Sequence, residues 1–255
     1  MPKINSDLVL FNELVEVLLN EEHKHPVADR IEADKLYDTL DLSLNPTPIV
    51  DNKLKDLLKE VVISTPKTAT KLFFNQLFGG RQGKAILGDL LAVMLNNSMY
   101  TYKVAGPQVG IEQEIIRKSC GMIGYGSQSN GTFPTGGSMS NYMALVMARD
   151  TKDSHCREKG MSKPMIVYTS RESHYSNSKN ASFAGIGKSN IRYIPTDSKG
   201  QMLPNHLEAQ IIKDLDEGFV PTYVNATAGT TVLGSFDPID KIADMVTNRL
   251  VIISE

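Results

Sequence analysis

The stretch PMIVYTSRESHYSNSKNASFAGIGKSNIRYIP, residues 164–195, decides the fold. Two short apolar runs, PMIVYTS (164–170) and NIRYIP (190–195), flank a polar segment whose residues 174–183 read as helical. A strand, a helix and a second strand in that order make a crossover connection, the unit from which parallel sheets are built. Downstream the alternation continues. Helical patterns at 204–216 and 237–248 are interleaved with the apolar runs FVPTYVNAT (219–227) and LVIIS (250–254). The spacing predicts an α/β domain with a mostly parallel sheet covered by helices on both faces.

Upstream the pattern is helical. Phe11, Leu14, Val15, Leu18 and Leu19 recur at helical spacing within residues 7–21, and a second helix is expected over 50–62. Between them, Asn45-Pro46-Thr47-Pro48 reads as an extended linker. Residues 1–65 therefore read as a helical N-terminal arm with little core of its own, and 66–255 as the sheet-bearing domain. A helix from residue 83 carries Ile86, Leu87, Leu90, Leu91 and Met94 on one face. Another should start at Pro107, a favoured first-turn residue, and bury Ile111, Ile115 and Ile116. The segment SMSNYMALVMARD after Gly136-Gly137 reads as a third, well-packed helix.

Composition narrows the function. The chain has 255 residues, 41% hydrophobic and 22% charged, with a formal net charge of −2. That balance suits a soluble globular protein and gives no reason to expect a nucleic-acid or membrane partner. Cys120 and Cys156 form no paired metal or redox spacing, so a reduced, cytoplasmic protein is expected. No GxxxxGK[ST], GxGxxG or HExxH motif occurs. His23 and His25 lie in a charged, solvated segment, and no metal site is expected.

In an open parallel sheet, ligands bind at the carboxyl ends of the strands. Three loops there carry suggestive residues. PTGGSMSN (134–141) precedes a helix, so Gly137 and Ser138 could cradle a phosphate at the helix N-terminus; equally, Ser138 could be an ordinary N-cap after a glycine turn. TSRESHYSNS (169–178) places His174 at a strand-to-helix handover, either to stack on an aromatic cofactor and move protons or as a loop histidine without a role. NATAGTTVLGSFDPID (225–240) offers Thr230 and Thr231 to a polar ligand, or is a turn in which Asp237 caps the following helix.

These loops, with FFNQLFGG (73–80) and NNSMYTYKVAGPQVGIEQEII (96–116) before them, resemble the group II pyridoxal-phosphate-dependent amino-acid decarboxylases, the family of glutamate, aspartate 1- and cysteine sulfinate decarboxylases. The motifs stand in the family's order over roughly residues 65–250. The resemblance implies a type I aminotransferase-like large domain, pyridoxal 5'-phosphate as cofactor, and a homodimer with active sites at the subunit interface. By position, Gly137 and Ser138 would hold the cofactor phosphate, His174 would stack on the pyridine ring, and Thr231 would lie near its polar edge. Gln76, Thr101 and Tyr102 would line the substrate pocket. The implied reaction is decarboxylation of an amino acid, with an acidic side chain favoured by Gln76 and its flanks.

Family members continue into a segment of the type HVDAA, whose aspartate pairs with the pyridinium nitrogen, and then to the lysine that anchors the cofactor. Neither has a counterpart among these 255 residues, so they are expected to be the N-terminal part of such an enzyme and inactive by themselves. Two alternatives stand beside this reading. One is another enzyme of the same fold, such as an aminotransferase or desulfurase, although those lack the FFNQL and YKVAGP segments. The other is a non-catalytic, dimer-forming pseudoenzyme.

Overall fold

All four expected strands form, and they form one parallel sheet. The computed structural model describes residues 2–24, 27, 31–44, 46–75, 77–247 and 252–254. It divides into two compact units, residues 1–100 and 101–255.

The first unit is helical. It holds α1 (Pro2–Lys24), the single turn α2 (Leu36–Thr39), α3 (Asp51–Ser64) and α4 (Gly83–Leu95). Helices α1 and α3 pack together and are bridged by Lys55 and Glu13 at 2.5 Å. Both side chains are half exposed, so the pair contributes at most about 1 kcal/mol. Leu40 is the buried apolar side chain among the described residues of this unit. The apolar face of α4 exists as expected, but Leu87, Leu91 and Met94 are exposed.

The second unit begins with α5 (Tyr102–Ala105), α6 (Pro107–Met122), α7 (Gly137–Lys152) and α8 (Cys156–Lys159). Pro107 opens α6 as expected, but the expected burial fails: Ile111 is 61% and Ile115 48% exposed. Helix α6 packs on the four-residue α5, and residues 131–133 lie along it, where Phe133 N–H donates to Glu112 at 3.3 Å. That contact shelters only Ile116 and leaves the rest of the stripe outward.

The sheet follows with β1 (Met165–Ser170), α9 (Ser176–Phe183), β2 (Ile191–Ile194), α10 (Pro204–Asp216), β3 (Val220–Asn225), α11 (Ile239–Thr247) and β4 (Ile252–Ser254). The spatial order is β2-β1-β3-β4, with every pairing parallel. Every residue of β1 is buried, which explains why it reads as a continuous apolar run rather than an alternating one. On one face Ile166, Tyr168 and Val224 meet Leu207 and Ile211 of α10 and Ile242 and Val246 of α11. On the other, Met165, Val167 and Tyr223 meet Leu145 and Ala148 of α7 and Ala181 of α9. Each such aliphatic side chain taken from water stabilises the fold by about 1.5–3 kcal/mol.

Chain direction reverses once in this order. From β1 the chain moves outward to β2 through α9, then crosses to β3 and β4 through α10 and α11 on the opposite face. The switch point therefore lies between β1 and β3, and the crevice outside their carboxyl ends is where such sheets bind ligands.

Candidate active site

The carboxyl ends of β1 and β3 are tied together by side-chain amides. Asn225 Oδ1, at the end of β3, accepts from Thr169 Oγ1 at 3.2 Å and from Asn177 Nδ2 of α9 at 2.8 Å. All three residues are buried. The loop between β1 and α9 is thus closed by hydrogen bonds rather than by apolar packing, and it carries His174.

His174 is half-buried, with its ring 4.3 Å from that of Tyr175 at an interplanar angle of 31°. Its Nδ1 lies 2.8 Å from Ser176 Oγ and accepts the Ser176 backbone N–H at 3.2 Å. Ser176 Oγ in turn accepts from Asn141 Nδ2 of α7 at 2.9 Å. One turn further along α9, Asn180 Nδ2 donates to the Ser138 carbonyl at 3.0 Å. Positions 176 and 180 on α9 share a helix face, as do 138 and 141 on α7, so the two bonds set one helix against the other.

The start of α7 has the features an anion needs. Gly136 precedes it at φ +93°, a conformation that L side chains rarely adopt. The amides of Gly137 and Ser138 have no acceptor among the described residues, and no acidic residue lies in the first turn. A Cβ added at Gly136 or Gly137 would meet nothing within 4 Å, so the approach to those N–H groups is open. Unpaired donors, the positive end of the helix dipole and a clear approach together fit a phosphate. The expectation that Ser138 could serve as an N-cap is corrected: it lies inside the first turn, and the cap position is Gly136.

The third loop, 226–238, is clamped from below. Asp237 is 4% exposed, and its carboxylate accepts from Met202 N–H at 2.7 Å and Thr227 N–H at 2.8 Å. The expected cap on the following helix is therefore corrected: one oxygen holds the hairpin at Met202 and the other the start of the loop at Thr227. Thr230 also turns inward, its hydroxyl accepting from Ser235 N–H at 3.0 Å, which removes it from the ligand-facing candidates. Thr231 is exposed on the turn that follows. The hairpin around Gly200 supports the same loop, with Gln201 Nε2 donating to the Phe236 carbonyl at 2.7 Å. Gly200 has φ +78°, and a Cβ there would sit 2.6 Å from Leu233.

The loops bearing Gly137, Ser138, His174 and Thr231 thus all lie at the carboxyl edge of the sheet, and direct bonds join the first two loops. Thr101 and Tyr102 are exposed at the start of α5, and the hydrogen bonds described for them stay within residues 101–106. Gln76 and His25 lie outside the described residues. Ser170 Oγ, at the end of β1 on the face toward α10 and α11, is buried without a partner among the described residues. No group of three metal-ligating side chains occurs among the described residues, and no described helix is long and apolar enough to cross a membrane.

Sequence reasoning missed Asn141, Ser176, Asn177 and Asn225. The run SNSKN at 176–180 was the available signal, because polar side chains repeated at three- and four-residue spacing mark a helix face that bonds to something.

A parallel sheet with helices on both faces and an anion-ready helix start beside its switch point is the large domain of a type I aminotransferase-like fold. Residues 37–252 match the pyridoxal-dependent decarboxylase conserved domain, and the chain belongs to that family. It is 38% identical to mouse cysteine sulfinic acid decarboxylase over 231 residues, covering 90% of this chain and 47% of that protein. It is likewise 38% identical to the acidic amino acid decarboxylase GADL1 of Xenopus tropicalis over 239 residues, covering 93% of this chain and 46% of that protein. The crystal structure of mouse CSAD superposes with a TM-score of 0.92 at 34% identity, covering 97% of this chain and 54% of that one. The crystal structure of Oryza sativa TDC with PLP and tryptamine superposes at 0.87 with 25% identity, covering 99% of this chain and 56% of that one. The chain spans about half the length of the relatives it matches.

Proposed function

We propose that these residues form the cofactor-binding part of a pyridoxal-phosphate-dependent carboxy-lyase acting on an acidic amino acid. The observation that carries the reading is the start of α7: two unpaired N–H groups with a clear approach, tied by side-chain amides to the loop that holds His174. Gly137 and Ser138 would hold the phosphate by their backbone amides, Ser138 adding its hydroxyl. His174 would stack on the ring, and its imidazole is placed to hold or move a proton. Thr231 would hydrogen-bond the ring's polar edge. When bound, pyridoxal phosphate supplies an electron sink for the pair released as the Cα–carboxylate bond breaks.

The substrate class is read from the relatives, which are named for cysteine sulfinic acid and acidic amino acids. Gln76, Thr101 and Tyr102 are each proposed as substrate-side-chain contacts from their match to family motifs. A homodimer is proposed on the same resemblance, with support from the exposed apolar stripes of α4 and of α6. Cytoplasmic residence is proposed because both cysteines are free. The test is release of carbon dioxide from cysteine sulfinate, aspartate and glutamate by the protein at its native length, with pyridoxal phosphate supplied. Turnover of at least one is expected; turnover of none, with cofactor shown to be bound, would overturn the assignment.

A further inference from the structure

We infer that Ser176 sets the tautomer of His174 through its amide and hydroxyl, and that Asn141 is a positioning residue that fixes which way this hydroxyl points. The inference rests on the reading of His174 as a site residue for its consequence, but not for its geometry. A backbone N–H can only donate, so the Ser176 amide, 3.2 Å from His174 Nδ1, favours an accepting Nδ1 and leaves the balance to the hydroxyl beside it. The hydroxyl of Ser176 lies 2.8 Å from the same nitrogen and receives the Asn141 amide at 2.9 Å. With its lone pairs facing the amide, the hydroxyl turns its own proton toward Nδ1. The neutral ring therefore carries its proton on Nε2, leaving that nitrogen as the ring's donor.

The arrangement is built rather than incidental. Ser176 is 1% exposed, so its hydroxyl has no exchange with bulk water to randomise its direction. Asn141 stands one turn beyond Ser138 on α7, so the helix proposed to bind the phosphate also aligns the histidine. Ring orientation and phosphate position then depend on the same two helices, α7 and α9, whose contact includes Leu145, Ala148 and Ala181.

Aspartate and leucine are both close to asparagine in size, and the relay assigns them opposite effects. Asn141→Leu would leave the Ser176 hydroxyl free to keep donating to Nδ1. Asn141→Asp would draw that proton to the new carboxylate and turn an oxygen lone pair toward Nδ1. The measurement is the ¹⁵N imidazole spectrum of His174 in the cofactor-free protein at alkaline pH, assigned by loss of one signal in His174→Gln. The parent and Asn141→Leu should show the Nε2–H tautomer. Asn141→Asp should shift the population toward Nδ1–H by about threefold or more, the range one neutral hydrogen bond governs. In a Ser176→Ala background the effect of Asn141→Asp should vanish, since its carrier is gone. Equal spectra for Asn141→Asp and the parent, equal shifts for the aspartate and leucine variants, or an aspartate effect that survives Ser176→Ala would each overturn the relay. Because no cofactor is present, failure of the relay is separable from failure of the decarboxylase reading, which is judged by carbon dioxide release.

Discussion

Replacing Asp237 by Ala should be among the most damaging single changes at the sheet edge, although Asp237 touches no proposed ligand. Its carboxylate holds two backbone amides, Met202 at 2.7 Å and Thr227 at 2.8 Å, in a site where the residue is 4% exposed. Hydrogen bonds to a charged group contribute about 1.5–3 kcal/mol each, and leaving a buried amide unpaired costs about 1–3 kcal/mol. Two such amides put Asp237→Ala at about 3–5 kcal/mol, a large fraction of a stability of about 5–15 kcal/mol. Asp237→Asn keeps one acceptor but turns an NH₂ toward the other amide, so it should lose about half as much. The global assay is the denaturant midpoint of the native-length protein. The local one is hydrogen exchange at Met202 and Thr227, where a loss of about 3 kcal/mol corresponds to roughly a hundredfold loss of protection. An Ala variant within about 0.5 kcal/mol of the parent, or an Asn variant as damaging as Ala, would refute the clamp.

Two further outcomes follow from the same structure. Tyr168 is fully buried and donates to Asp214 at 3.0 Å; burial, then the Asp214 charge and that hydrogen bond, push its phenol far above the usual tyrosine range. A folded value above the unfolded one favours the protonated form in the native state, so its contribution is fully present below about pH 10 and lost as pH rises further; Tyr168→Phe should flatten the fall of the denaturant midpoint between about pH 10 and 11.5, and an unchanged slope would rule this out. At the proposed site, His174→Ala should lower turnover by about 10²–10⁴-fold with a modest loss of cofactor affinity, whereas Ser138→Ala should weaken cofactor binding more than turnover at saturating cofactor; near-normal turnover in His174→Ala would make that histidine an ordinary loop residue.

Legibility in the sequence followed the range of the interaction involved. The strands were readable because β1 is buried on both faces and reads as an apolar run from Met165 to Tyr168, a property of the segment itself. Helix α6 shows the boundary of that reasoning. Its three-to-four-residue periodicity identified an apolar stripe correctly, but periodicity says nothing of what the stripe meets, and Ile111 and Ile115 are exposed. Asp237 fails for the complementary reason. An aspartate before a proline and a helix fits the local pattern of a cap, yet one of its partners, Met202, is 35 residues away along the chain. Asn141 was invisible on the same account, since SNYMAL reads as an ordinary helix start until α9 is laid across it.

The site is more than three loops that share an edge, because polar side chains at the two strand ends bond across to one another. With α9 on one face and α10 and α11 on the other, the chain parts at β1 and β3, so the carboxyl ends of these two strands are not covered by a single crossover helix. Buried side chains on the α7 and α9 side of these strand ends pair with one another, Thr169 and Asn177 with Asn225 and Ser176 with His174 and Asn141, whereas Ser170 Oγ on the other face has no partner among the described residues. Such a network is directional where an apolar core is not. It holds His174 and the first turn of α7 at defined angles while leaving two amides of that turn unpaired.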